Sequence, residues 1–185
     1  QHQGKIIGLF WVMRYKDNFL LSFPLDLADV IKSRLQIFVI MSDVIIDDIS
    51  ASYSQIGLID EKQSNAYSIN DSLSLIIDNT TENIDNLVEE NAEWDFACIK
   101  SSLPEVFLST SEKFVPQMLN LDIDEIGVNF SKGCYPGQEV VARLHYLGSA
   151  KRRLFSFKTN HEVQVGDSLY CATSKTALAR GDRYK

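Results

Sequence analysis

The sequence predicts an α+β protein in which helices pack on a mostly antiparallel sheet, and three observations carry that prediction. Strand-like and helix-like patterns alternate irregularly along the chain, the chain opens on a hairpin pattern, and no internal repeat or low-complexity tract interrupts it.

Residues 5–15 are rich in Ile, Leu, Phe, Trp and Val, and residues 18–23 form a second apolar run. Lys16-Asp17 between them reads as the turn of a β-hairpin. Pro24 then opens a helix, because the amide hydrogen it lacks would find no partner in a first turn. Leu27, Val30, Ile31 and Leu35 recur there at helical spacing, with charged residues between them. Residues 37–46 return to β-branched, strand-like composition, closed by Asp47-Asp48. Two more strands are expected over 53–59 and 73–77, separated by a polar stretch at 60–70. Asn79-Thr80-Thr81-Glu82 supplies an N-cap for a short acidic helix carrying Ile84, Leu87 and Val88. Residues 94–99 are apolar again and are expected to be extended, and Pro104 breaks the chain's pattern beyond them. After Gly148 the character changes: 152–157 and 163–170 read as short strands, with Gly166-Asp167 between apolar positions. The chain is therefore divided into a first domain, 1–148, and the beginning of a small all-β domain, 149–185.

At 45% hydrophobic and 23% charged, the 185 residues have the composition of an ordinary soluble globular protein, large enough to bury a core without staples. The net charge of −7 argues against the phosphate backbone as a general partner, so no direct nucleic-acid contact is expected. The one compact basic cluster, Lys151-Arg152-Arg153, is read as a solvated strand start. No run approaches the roughly 18 apolar residues of a membrane span. The three cysteines, Cys98, Cys134 and Cys171, are odd in number and widely spaced, with no CxxC pair. That pattern excludes a zinc ribbon or a thioredoxin motif, argues against a disulfide framework, and suits a reduced, cytoplasmic protein. The chain begins Gln1-His2-Gln3 directly before a strand pattern and stops soon after a new strand-rich stretch, so an incomplete protein is expected.

Residues 127–148 are the most unusual stretch. Val128 and Phe130 are alternate apolar positions of a short strand, and Lys132-Gly133 is a turn. Tyr135-Pro136-Gly137-Gln138 has Pro and Gly in the order preferred at the centre of a type II turn. Alternatively, Pro136 is the first residue of a helix running through Val140, Val141, Leu144 and Leu147 to a stop at Gly148. In either case Cys134 precedes a helix N-terminus and stands two residues after Lys132. Unpaired amides and a nearby ammonium both favour a thiolate, which makes Cys134 a candidate reactive thiol. The competing reading is a small buried cysteine filling the strand–helix junction. Cys134 and His145 together supply too few ligands for a structural metal, and one thiolate does not hold an Fe–S cluster, so no metal is expected. Cys98 and Cys171 have no motif around them and read as packing residues. Glu139 and Arg143, at i and i+4, are either a helical ion pair or a brace for the loop that carries Cys134. Trp94 is either a core residue or a stacking face for a flat ligand.

Lys132-Gly-Cys-Tyr-Pro-Gly-Gln-Glu139, continued by Val141-Ala142-Arg143, resembles the signature of the YgfZ family, K-G-C-Y-x-G-Q-E with V-A-R beyond it. Phe114-Val115-Pro116-Gln117 and Leu119-Asn120-Leu121 resemble the family's F-[IV]-P-Q-x-x-N-L segment, with Leu119 preceding Asn120 here. Trp94 stands upstream of Pro104 at the family's spacing, and residues 3–7 resemble its P-x-G-[KR]-[IM] strand start. The resemblance covers residues 1–158, and the tail more weakly.

The resemblance implies the fold of the tetrahydrofolate-binding aminomethyltransferases, related to the glycine-cleavage T-protein, with a central folate site and a small C-terminal β-barrel. It implies tetrahydrofolate or a derivative as cofactor, and Fe–S enzymes or assembly proteins as clients. Through an Fe–S methylthiotransferase it implies an effect on tRNA modification. Trp94 matches a tryptophan that lines the folate site. Cys134 matches the cysteine on which function depends, with Lys132, Tyr135, Gln138, Glu139 and Arg143 as its supporting motif. Two other readings stand beside this one: a tetrahydrofolate-dependent aminomethyltransferase, which would make the protein a one-carbon transferase, and a non-catalytic folate-binding docking module. Ser102-Leu103-Pro104 departs from the family's G-x-P turn. A strand and helix that complete the family's folate site, and part of its barrel, fall outside the sequence.

Overall fold

Lys16, in the left-handed backbone region at φ 53°, makes the turn that the hairpin pattern requires. On either side of it β1 (Trp11–Tyr15) pairs antiparallel with β2 (Asn18–Ser22), placing buried Met13 opposite buried Leu20. The computed structural model describes residues 3–40, 42–79, 91–123, 127–148, 150–159, 168–170 and 177–180. The chain forms two units, Phe10–Ser101 and a second made of Gln1–Leu9 with Ser102–Lys185. This division explains why the hairpin begins at Trp11 and not at residue 5. The Ile6 amide donates to the Phe114 carbonyl and the Ile6 carbonyl accepts from the Glu112 amide, so that backbone belongs to the other unit.

In the Phe10–Ser101 unit, Pro24 is extended (ψ 132°) and precedes a 3-10 turn, Leu25–Leu27, that leads into α1 (Ala28–Gln36). Leu27 and Ile31, one turn apart, are buried, as the helical spacing predicts. Residues 37–40 and 42–46 form no strand. The Phe38 and Val39 amides donate back to Leu35 and Gln36 as the helix unwinds. Ile40 and Ile45 are 85% and 83% exposed. β-Branched composition favours extended backbone, but no neighbouring strand pairs with this one.

The two expected strands are present as β3 (Ser54–Ile59) and β5 (Leu73–Asp78), with β4 (Tyr67–Ser68) on the far side of β5. All pairing is antiparallel, with Ile56 opposite Ile76 and Tyr67 opposite Leu75. β5 is central and Leu73–Ile76 are all buried, so its near-continuous apolar run reflects cover on both faces. The polar stretch 60–70 contains β4, too short to leave a pattern. The Asn70 side-chain carbonyl closes the next turn by accepting from the Ser72 and Leu73 amides at 2.9 and 2.8 Å.

Residues 94–99 are helical, contrary to the extended expectation, and belong to α2 (Ala92–Lys100). Ala92, Glu93, Ala97 and Lys100 favour helix, and Glu93 and Asp95 in the first turn with Lys100 in the last complement its dipole. The acidic helix expected around Ile84–Val88 lies outside the described residues.

The second unit is built on a core of Val106, Leu119, Leu121, Val128 and Val141, with Ile6, Leu9, Phe114 and Phe130 packed against it. Two 3-10 turns, Leu108–Thr110 and Pro116–Leu119, precede α3 (Gln138–Tyr146). Val128 is buried and Phe130 half-buried, as alternation predicts, yet they form no strand. The Gly127 and Val128 amides both donate to the Leu121 carbonyl, which closes a tight loop instead. Residues 152–157 also lack a ladder. Side chains hold them: Arg153 forks onto the Asp122 carboxylate at 2.5 and 3.0 Å, and Asn120 Nδ2 donates to the Leu154 carbonyl at 2.8 Å. β6 (Ser168–Tyr170) pairs antiparallel with β7 (Ala177–Arg180). The architecture is α+β with antiparallel sheets, and no closed barrel is present among the described residues. Among those residues no helix is long and apolar enough to cross a membrane.

Candidate functional site

The segment carrying Cys134 is held at both ends. At its start, the Asn129 side-chain carbonyl accepts from the Ser131 amide at 2.7 Å and the Lys132 amide at 3.0 Å, a local turn that aims the chain away from the core. At its end, the Gln138 amide donates to the Tyr135 carbonyl at 3.1 Å, with Gly137 at φ 87°, ψ 0°. That is a type II turn with Pro136 and Gly137 as its central residues, so of the two sequence readings the turn is the one adopted. The helix starts at Gln138, and Cys134 lies four positions before it, not at its first turn.

Cys134 is exposed, which removes the reading of a buried junction filler. Lys132 Nζ sits 4.6 Å from the centroid of the Tyr135 ring, a cation–π contact that brackets the cysteine between its two motif neighbours. Tyr135 is half-buried, and burial raises its phenol above the usual tyrosine value. Gly4 supports the turn from the side: it is buried at φ 70°, and a Cβ there would lie 3.2 Å from the Gly137 carbonyl and 3.1 Å from Val141. Below the turn, buried Gln117 donates from Nε2 to the Val141 carbonyl at 2.7 Å. The Pro-Gln pair and the segment at 3–7 thus converge on the turn and on the start of α3.

Gln138 is half-buried, and Glu139 and Arg143 are exposed. Glu139 and Arg143 form no ion pair with each other, whereas Arg153 and Asp122 do. Sequence reasoning missed Asn129, whose only signal was an Asx residue three positions before Lys132. It also missed an aromatic cluster on the same unit. The Phe130 ring stacks on His145 at 3.8 Å between centroids, and Tyr146 meets both edge-on at 6.0 and 4.7 Å. Among the described residues no group of three His, Cys, Asp or Glu is placed to hold a metal.

Trp94 belongs to the other unit, on α2, and is half-buried. Its six-membered ring lies against Gly57 of β3, so close that a Cβ on Gly57 would fall 2.2 Å from Cε3. One part of the indole is therefore packed on strand backbone while the residue keeps exposed area. Beside it, burial raises the Asp95 carboxyl above the usual carboxylate value. Cys98, also on α2, is half-buried, and neither it nor Cys134 is in a disulfide. Cys171 lies outside the described residues.

No model of a known protein family matches the chain. It is 31% identical over 175 residues to an uncharacterised protein of Haemophilus influenzae, a match covering 90% of the chain and 61% of that relative. It is 46% identical over 69 residues to the tRNA-modifying protein YgfZ of Colwellia psychrerythraea, covering 37% of the chain and 21% of the relative. The tRNA-modifying protein YgfZ of Pectobacterium carotovorum is 39% identical over 84 residues, 44% of the chain and 25% of the relative. The chain thus spans about three fifths of the Haemophilus relative and smaller shares of the others.

Proposed function

We propose, since the chain is a relative of the YgfZ tRNA-modifying proteins, that it is a folate-binding accessory factor for Fe–S proteins and acts in tRNA modification through them. The observation that carries this reading is the exposed Cys134, held out from the core between the Asn129 turn and the type II turn at Pro136-Gly137. A thiol presented this way reaches a partner protein without unfolding its own support. Lys132 and Tyr135 bracket it, Gly137 sets the turn, and Gln138, Glu139 and Arg143 lie on α3 just beyond.

Tetrahydrofolate would bind through Trp94, whose indole offers a π face to a pterin at small entropy cost. The fit is reasonable on the residues present: Gly57 seats one part of the ring, which fixes its orientation, and the residue remains half-exposed. When bound, the folate would supply a one-carbon carrier. The residues from 149 on would belong to a small β-barrel domain, and the protein would work in the cytoplasm.

The decisive experiment uses the full-length protein in cells lacking their own copy, with methylthiolated tRNA nucleosides measured by mass spectrometry. Wild type should restore them and Cys134→Ala should not; equal restoration by both sinks the role of the thiol. Folate binding is read separately, by quenching of indole fluorescence with tetrahydrofolate. Quenching should be lost in Trp94→Phe, where Trp11 remains as an internal control. Absence of quenching in wild type removes the folate part of the reading.

A further inference from the structure

We propose that the α3 face of the unit made of Gln1–Leu9 and Ser102–Lys185 binds unpaired nucleotides, such as the loop of a folded RNA. The inference does not rest on folate binding or on the reactivity of Cys134, although Lys132 and Arg143 belong to both sites. Its first support is the Phe130–His145–Tyr146 cluster. A ring stack of this kind is ordinary packing when buried, but here His145 is exposed and Tyr146 is 68% exposed, with Leu147 beyond it at 84%. Half-buried Phe130 anchors the cluster to the core, and the exposed rings of His145 and Tyr146 offer a stacking platform on which a base can lay its π face.

The second support is charge. This unit carries twelve Lys and Arg against nine Asp and Glu, a net +3, whereas Phe10–Ser101 carries six against sixteen, a net −10. The whole-chain value of −7 is the sum of two opposite characters. Such asymmetry between parts of one chain is the compositional mark of an anionic partner for the basic part.

Arg143 is one turn before Tyr146 on α3, and exposed. Lys132, two residues past Phe130 in the sequence, is exposed with its ammonium over the Tyr135 ring, and exposed Lys151 and Arg152 follow the helix in the sequence. Arg153 is committed to Asp122 and does not contribute. Glu139, one turn before Arg143, is the acidic residue of α3 and is exposed. Aromatic rings with cations of one sign suit a polyanion with flat bases better than an apolar protein surface. Stacking also selects unpaired strands, because bases inside a duplex already stack on each other.

The test is fluorescence anisotropy of the folate-free full chain with labelled oligonucleotides of about 12 residues, within the site sizes of stacking grooves. Unpaired RNA, unpaired DNA of the same sequence and a blunt duplex are compared between about 50 and 200 mM salt. Unpaired strands should bind tighter than the duplex, and RNA against DNA reports which source is preferred. Tyr146→Ser and His145→Ser should each weaken unpaired-strand binding roughly tenfold. Arg152→Gln should lower the slope of log K against log salt by about one. Because Tyr146 and Arg152 are exposed, neither variant should shift the thermal midpoint. The proposal is overturned if unpaired strands do not bind at the lower salt. It is equally overturned if duplex binds as well as unpaired strand and Tyr146→Ser and His145→Ser change nothing, since the patch would then be only a charged surface.

Discussion

Gly57→Ala tests how Trp94 is seated. A Cβ on Gly57 would stand 2.2 Å from Trp94 Cε3 and 2.6 Å from both Cδ2 and Cζ3, where ordinary contact begins near 3.4 Å. The indole must therefore retreat by roughly an ångström along three ring atoms. It is a rigid ring on α2, not the flexible end of a long side chain. Overpacking of this kind costs about 1–3 kcal/mol. Gly57 does not need a positive φ, so alanine returns about 0.5–1 kcal/mol by restricting the unfolded chain. The net expectation is a loss of about 0–2.5 kcal/mol, centred near 1 kcal/mol. Urea unfolding should show a lower midpoint at unchanged slope, and the Trp94 emission should shift as the ring leaves the strand. In a Trp94→Ala background the same substitution should become neutral or stabilising, a coupling read directly from the double-mutant cycle. A Gly57→Ala variant with unchanged midpoint and emission refutes the reasoning, as does an equal cost with Trp94 absent.

Gly137→Ala places a side chain at φ 87° and should cost about 1–2 kcal/mol in urea unfolding, without which the type II turn is not the support argued here. Arg153→Gln strips the fork from the Asp122 carboxylate, whose side chain is 7% exposed, and should cost about 1.5–3 kcal/mol, partly recovered by Asp122→Asn in the same chain. Burial holds the Tyr135 phenol protonated, so its ionisation opposes the fold. The stability it contributes is full below the ordinary tyrosine value near pH 10 and falls as pH climbs through the raised one. Tyr135→Phe should flatten that alkaline loss of thermal midpoint and remove a late-titrating phenolate from the absorbance curve.

Much of the site was legible in the sequence. Pro136-Gly137 specified a tight turn because one residue presets φ and the other tolerates its reversal, and the turn is there. Whether the helix began at Pro136 or after the turn was not legible, since both use the same residues. The exposure of Cys134 was not legible either. It depends on Asn129 capping two amides and on Gly4 closing against Gly137, contacts across 3 and 133 positions of chain. The aromatic cluster was missed because Phe130 and His145 are fifteen residues apart and meet only in space. The charge of each unit was hidden for a related reason: residues 1–9 join 102–185, a grouping no running window detects.

The sequence by itself determined what depends on neighbouring residues: the turn at Lys16-Asp17, the helix after Pro24, the strands β3 and β5, and the signature around Cys134. Tertiary structure decided what depends on partners. Residues 37–40 and 42–46 have strand composition but pair with no described strand and are mostly exposed, whereas the same kind of residues in β5 lie between β3 and β4, and Leu73–Ile76 are buried. A six-residue run such as 94–99 fits either period; it is helical here, with helix-favouring neighbours at 92–93 and 100 and Trp94 packed on Gly57. Local preference sets the dihedral angles a segment can adopt; hydrogen-bond partners and cover from water come from segments far away in the chain, and those settled the rest.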